Sequence, residues 1–94
     1  MEETLNNLVY QFMTKFFIDL HLININGFQV WKDVNDVINF YCNVETKVFR
    51  ISFKNRKLIM SMFNLTDVQF DNILKKWAIE NLNIEISCVM PSII

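Results

Sequence analysis

The chain is poor in the residues that most often mark active sites and tight turns. Its 94 residues include one glycine, one proline, one histidine and two cysteines. A single glycine excludes the glycine-rich loops that cradle nucleotide phosphates. One histidine and two cysteines are too few for the usual zinc or redox centres. We therefore predict no metal, no cofactor and no catalytic activity.

The sequence also lacks the marks of an exported or membrane-spanning protein. No apolar run approaches the ~20 residues that cross a bilayer, and the acidic start Met1-Glu2-Glu3 differs from the basic leader of a signal peptide. Cys42 and Cys88 are interpreted as small buried hydrophobic residues in a reducing compartment. We expect a cytoplasmic protein that does not bind membranes.

What the sequence has in abundance is apolar residues. Hydrophobic residues make up 52% and charged residues 20% of the chain, with a net charge of -1 and nine phenylalanines. This favours a single folded domain over residues 1–94 with apolar surface left over for an interface. Self-association, most simply as a dimer, is therefore predicted. Twelve Asn and twelve Ile against one Ala indicate A/T-rich codons, as in a phage or another mobile element.

The first half of the chain predicts two helices and a turn. Apolar residues recur with helical spacing over residues 4–20 and predict an amphipathic helix. Asn26-Gly27 is a strong two-residue turn signal, so residues 22–31 form either a short hairpin or a loop. Asp33 could cap a short helix over residues 34–42, although the residue types in this segment also suit a strand.

Apolar residues alternate over residues 49–62 and predict a β-hairpin that turns at Asn55/Arg56. In this register all six apolar residues of one face pair across the hairpin, whereas a shift of one residue would pair apolar with polar residues. The six residues are Phe49, Ile51 and Phe53 opposite Met62, Met60 and Leu58.

The end of the chain predicts one helix and one strand. Thr66 and Gln69 match a capping box at the start of a helix over residues 67–81. Strict alternation over residues 82–90 predicts a strand. The resulting fold is α+β: an N-terminal amphipathic helix, a short second helix, and a ββαβ unit. Its three-stranded, mainly antiparallel sheet would have the order 2-1-3 and pack on the helices.

Two surfaces of this predicted fold are candidates for binding. The second face of the sheet would be apolar and is the candidate partner or dimer face, formed by Val48, Ile59, Phe63, Val89 and Trp31. The hairpin tip would be basic and could contact a nucleic-acid backbone, although a solvated turn is the simpler interpretation. Its basic residues are Arg50, Lys54, Arg56 and Lys57.

These features predict a small non-catalytic protein-interaction domain. A mobile-element factor that binds and modulates a host protein would fit the composition. The alternative is a nucleic-acid-binding module that uses the basic hairpin tip. A helix lying in a membrane surface is disfavoured, because the polar face of the first helix carries a single basic residue, Lys15, instead of a basic stripe.

Overall fold

A computed structural model describes residues 2–91 and has three helices and a five-stranded mixed sheet within this range. The predicted α+β class is confirmed, whereas the three-stranded sheet with order 2-1-3 is wrong: the strands follow one another in chain order across the sheet. The elements are α1 Glu2–Phe16, β1 His21–Ile25, β2 Phe28–Lys32, β3 Ile38–Asn43, β4 Val48–Ile51, α2 Phe53–Phe63, α3 Asp67–Leu82 and β5 Cys88–Val89.

The first four strands form an antiparallel meander, and β5 then adds parallel to β4. The turn between β1 and β2 is Asn26-Gly27, with φ of 47° and 79°. Positive φ at both central residues gives a turn whose twist matches that of the strands, which is why Asn-Gly is favoured here. Of the two alternatives for residues 22–31, the hairpin is confirmed.

The helix predicted over residues 34–42 is wrong, because this segment contains a turn and then β3. Asp33 accepts hydrogen bonds from the backbone N–H groups of Asn35 and Val37, at 2.9 and 3.1 Å. The bond from Val37 is the main cause of the lowered pKa of the Asp33 carboxyl. Asp36 follows with φ of 64°, which a right-handed helix does not allow. The β-forming residues beyond it pair with both neighbouring strands.

The hairpin predicted over residues 49–62 is half wrong. The segment predicted as its first strand forms β4, but the segment predicted as its second strand lies in the helix α2. Ser52 caps this helix by accepting a hydrogen bond from the N–H of Asn55, and Asn64 ends it with a left-handed φ of 53°. The alternation of apolar residues favoured a strand, but the residue types favour a helix. Lys, Arg, Leu and Met are helix formers, and the segment has one β-branched residue, Ile59.

The helix predicted over residues 67–81 is confirmed as α3. Its capping box is formed, since Thr66 N–H donates to Gln69 Oε1 at 3.0 Å and Gln69 N–H donates to Thr66 Oγ1 at 3.2 Å. The strand predicted over residues 82–90 is reduced to the two residues of β5. Asn83 caps α3 in a left-handed conformation, and the chain beyond it packs Ile86 against the core before it pairs with β4.

The core lies between the helices and one face of the sheet. Aromatic rings link the layers: Phe17, just after α1, lies 4.4 Å from Phe40 of β3, and Phe40 lies 5.5 Å from Trp77 of α3, between ring centroids. Such ring contacts bury large areas and fix the layers relative to one another. The largest fully buried side chains are Trp77, Phe40, Phe49, Phe70, Met13, Ile51, Ile59, Leu74, Val9 and Cys42.

The predicted first helix is confirmed but ends earlier, at Phe16. Val9 and Met13 on α1 are buried, whereas Leu8 and Phe16 are exposed. Within residues 2–91, no helix is both long enough and apolar enough to cross a bilayer.

Candidate functional site

The predicted apolar partner face is not assembled as a surface. Trp31 and Ile59 are buried in the core, and Val48, Phe63 and Val89 are half-buried on three different elements. The prediction placed them together because it assigned residues 58–63 to a strand. In a helix, successive side chains turn by about 100° instead of alternating between two faces.

The four basic residues predicted to form the hairpin tip are also separated in the structure. Arg56 departs furthest from the prediction, because it is buried. Its side chain is only 8% exposed and forms ion pairs with Asp71 at 2.7 Å and with Asp67 at 2.8 Å. The guanidinium also lies 5.0 Å from the ring centroid of Phe70. Burial alone would lower the pKa of Arg56, but the hydrogen bonds that it donates to the carboxylates of Asp71 and Asp67 outweigh this effect, and the pKa is raised. Arg56 therefore joins α2 to α3 and is not available for a phosphate.

Arg50 lies on β4, away from α2, and donates a hydrogen bond to the carbonyl oxygen of Pro91. Lys54 and Lys57 remain exposed, one turn apart on α2. The predicted basic hairpin tip is thus replaced by two lysines on the first turns of a helix.

These two lysines belong to an exposed strip with large apolar side chains. Phe53, Leu58 and Met62 are 58%, 40% and 52% exposed, and the Nζ of Lys57 lies 6.0 Å from the ring centroid of Phe53. They line one shallow groove along the helix. We call this strip the outer face of α2; its residues are Phe53, Lys54, Lys57, Leu58, Ser61 and Met62.

The inner face of α2 fixes the position of this strip. Ile59 is fully buried, and Asn55 Nδ2 donates to Asn39 Oδ1 of β3 at 2.6 Å. Together with the ion pairs of Arg56, these contacts hold the helix to β3 and α3. The outer face is therefore presented on a rigid element, which limits the conformational entropy that binding would cost.

A second concave feature lies between α1 and α3. This cleft has a volume of about 440 Å³ and contains a polar cluster in which Tyr10 donates to a carboxylate oxygen of Glu80 and accepts from Asn81 at 3.2 Å. Burial, followed by the hydrogen bond to Glu80, raises the pKa of Tyr10. Its hydrogen bonds are thus made within the protein and join the two helices. The lining residues are Asn6, Asn7, Tyr10, Val68, Gln69, Asn72, Ile73, Lys76 and Glu80.

The single histidine and the two cysteines lie on separate elements of the fold. His21 is exposed at the start of β1, and among residues 2–91 no three His, Cys, Asp or Glu side chains converge to hold a metal ion. Cys42 is buried, as predicted, and burial raises the pKa of its thiol, which reduces its reactivity. Cys88 is exposed, so the prediction that it is buried is wrong. It lies in the short strand β5 at the surface instead of on the inner face of a long strand.

Sequence reasoning found the lysines of the outer face but not its apolar residues, which it assigned to the core side of a hairpin. The signal that could have found them is the four-residue spacing from Phe53 to Lys57 and from Leu58 to Met62, with Ser52 as a cap. No family model, curated protein or solved structure matches the chain.

Proposed function

We propose that this chain is a small non-catalytic protein-interaction domain that presents the outer face of α2 to another protein. The observation that carries the proposal is the exposure of three large apolar side chains, Phe53, Leu58 and Met62, around one shallow groove on α2. Single exposed apolar residues are common on protein surfaces, whereas several that line one groove are typical of an interaction site.

The charge of this face indicates the kind of partner. The sequence of α2 contains three basic residues and no acidic one, and its two exposed basic residues, Lys54 and Lys57, line the same groove as the apolar side chains. A partner segment with apolar anchors and acidic residues at its rim would match both properties. A protein of the host cell is the partner that the A/T-rich composition favours.

Binding, not catalysis, is also what the remaining polar residues support. Arg56, Asp67 and Asp71 satisfy one another across α2 and α3, and Asn39 and Asn55 do so across β3 and α2. These groups join elements of the fold, and Arg56 and Asp67 also line an open depression beside α2.

The test is affinity capture from a lysate of the native host, comparing the parent protein with a Phe53→Ser/Leu58→Ser variant. Loss of a captured protein in the variant is the expected result, because hot-spot residues are large side chains at the centre of an interface. The matched control is Val34→Ser/Val44→Ser, since these two valines are also exposed but lie in other turns. Unchanged capture by the α2 variant would refute the proposal.

Binding assays with nucleic acid at low salt distinguish the nucleic-acid alternative from the proposal. A Lys54→Glu/Lys57→Glu variant keeps Arg56, whose replacement would break the ion pairs with α3 and confuse loss of binding with loss of folding. The nucleic-acid alternative predicts that double-stranded DNA or RNA binds the parent protein at low salt. It also predicts that this binding is lost in the lysine variant and kept in the Phe53→Ser/Leu58→Ser variant. No binding by the parent protein at low salt eliminates that alternative.

A further inference from the structure

The sheet has two edges, and they differ in how they are protected. β5 is two residues long and is followed by Pro91, and short edge strands and proline both discourage pairing with another chain. β1 lies at the other end of the sheet. Its five residues, His21-Leu22-Ile23-Asn24-Ile25, contain no lysine, acid or proline, and the register shift in the neighbouring ladder lies between Trp31 and Lys32, not in β1. β1 thus lacks the usual protection of an edge strand.

We propose that a second copy of this chain pairs with β1, antiparallel and about a two-fold axis at Ile23, to form one continuous ten-stranded sheet. This surface is separate from the outer face of α2, so the inference does not depend on the proposed function.

The hydrogen-bond pattern of the hairpin fixes which backbone groups point outward. Ile25 pairs with Phe28 across the two-residue turn, and such a closing pair shares hydrogen bonds. Hydrogen-bonded and non-bonded pairs alternate along an antiparallel ladder, so Ile23 also bonds to β2. The N–H and C=O groups of Leu22 and Asn24 therefore point to the free edge.

A two-fold axis at Ile23 uses all of these outward groups. Leu22 of one copy then lies opposite Asn24 of the other, twice, which gives four backbone hydrogen bonds. Ile23 faces Ile23 of the second copy, and His21 faces Ile25 of the second copy. No two like charges lie opposite each other within the paired strands, and the register overlaps β1 along its full length.

The face of the sheet opposite the helices supports the same axis. Ile23, Val30 and Tyr41 are register partners on three neighbouring strands, and they lie on the face opposite the helices. Val30 is 6% exposed and is not a member of the core cluster on the helix side. Pairing at Ile23 continues this apolar row into the second copy, where the two Ile23 side chains become each other's neighbours.

The contact is small for a dimer. A five-residue edge falls at the low end of interface sizes, below about 1,200 Å² in total. We therefore expect a reversible dimer with a Kd in roughly the micromolar range.

Cysteine cross-linking tests the register in a Cys88→Ser background, which removes the exposed native thiol. In the proposed dimer the Cα atoms of the two Ile23 residues are about 4.5 Å apart, within reach of a disulfide. The two Ile25 residues lie on the same face but about 14 Å apart along the strands, out of reach. An Ile23→Cys variant should become a covalent dimer in a glutathione redox buffer, and an Ile25→Cys variant should not. Equal cross-linking of both variants, or cross-linking of neither, would overturn the inference.

Sedimentation velocity over a concentration series tests the interface without cross-linking. The parent protein, with a monomer mass of 11.3 kDa, should dimerise as its concentration rises. Ile23→Lys should raise the Kd at least about tenfold, because two lysines would face each other at the axis, while lysine on an edge strand is well tolerated by the monomer. Val34→Lys, at an exposed turn position, should leave the Kd unchanged.

Two other results would count against the inference. A parent protein that stays monomeric at millimolar concentration has no such dimer. A dimer that survives Ile23→Lys and is lost in Phe53→Ser/Leu58→Ser uses the outer face of α2 instead. Partner capture through α2 should be retained by Ile23→Lys, so failure of the dimer and failure of the proposed function are distinguishable.

Discussion

The two faces of α2 reverse the usual relation between polarity and burial. The inner face buries an asparagine and an arginine beside one isoleucine, Ile59, whereas the outer face exposes Phe53, Leu58 and Met62. The polar residues can be buried because each has a partner: Asn39 for Asn55, and two aspartates of α3 for the arginine. The apolar residues of the outer face have no comparable cover in the described part of the chain.

These two kinds of residue have different tasks. A buried polar network contributes specificity when all its members are satisfied, and it fixes one arrangement of α2 against α3 and β3. Exposed apolar side chains add little to the stability of the monomer and become useful when a partner covers them. Replacing residues on the inner face should therefore change stability, and replacing residues on the outer face should change binding.

The largest loss of stability is expected at Ile59, the fully buried apolar residue of α2. Ile59→Ala removes three carbon atoms from the core and leaves a cavity, so the free energy of unfolding should fall by about 3 kcal/mol. The adjacent Leu58→Ala on the outer face is the matched control and should change it by less than about 0.5 kcal/mol. Urea unfolding followed by circular dichroism measures both. Equal losses for the two variants would show that the faces are assigned incorrectly.

A smaller loss is expected at Arg56. Arg56→Met keeps an apolar stem near Phe70 but removes the charge-assisted hydrogen bonds to Asp67 and Asp71, so unfolding should become easier by about 2 kcal/mol. Lys57→Met, at the next position and exposed, should be nearly neutral for stability. The same urea titration decides between them. If Lys57→Met lowers the free energy of unfolding as much as Arg56→Met does, the ion pairs to α3 do not stabilise the fold.

How far the sequence predicts this fold depends on whether local signals agree. The capping box of Thr66 and Gln69 and the turn at Asn26-Gly27 each fix the backbone through their own hydrogen bonds or φ angles, and α3 and the first hairpin follow. Local signals also exist for residues 34–42, but Asp33 can bond to N–H groups in a turn as readily as at a helix start. There, pairing with β2 and β4 decides the outcome.

The segment of α2 shows why the candidate site was only partly predictable. A hairpin turn at Asn55/Arg56 with a strand from Leu58 onward and a helix over residues 53–63 both fit this segment, and the choice depends on contacts far away in the sequence. Arg56 looked like a surface residue because its partners Asp67 and Asp71 lie 11 and 15 positions further on. Lys54 and Lys57 were correctly expected to be exposed, since lysine is rarely buried in any fold.

The smallest of the three effects on stability is expected for the amide pair that joins α2 to the sheet. Asn55→Ala removes the donor to Asn39 Oδ1 and leaves that buried oxygen without its partner, so the free energy of unfolding should fall by about 1–2 kcal/mol. Asn39→Ala should cost at least as much, because Asn39 Nδ2 also donates to the carbonyl oxygen of Val37 at 3.1 Å. In the double variant the loss should be smaller than the sum of the two, with a coupling of about 1 kcal/mol. Additive losses would mean that the two amides stabilise the protein separately, and that α2 is held to the sheet by Ile59 and its apolar neighbours alone.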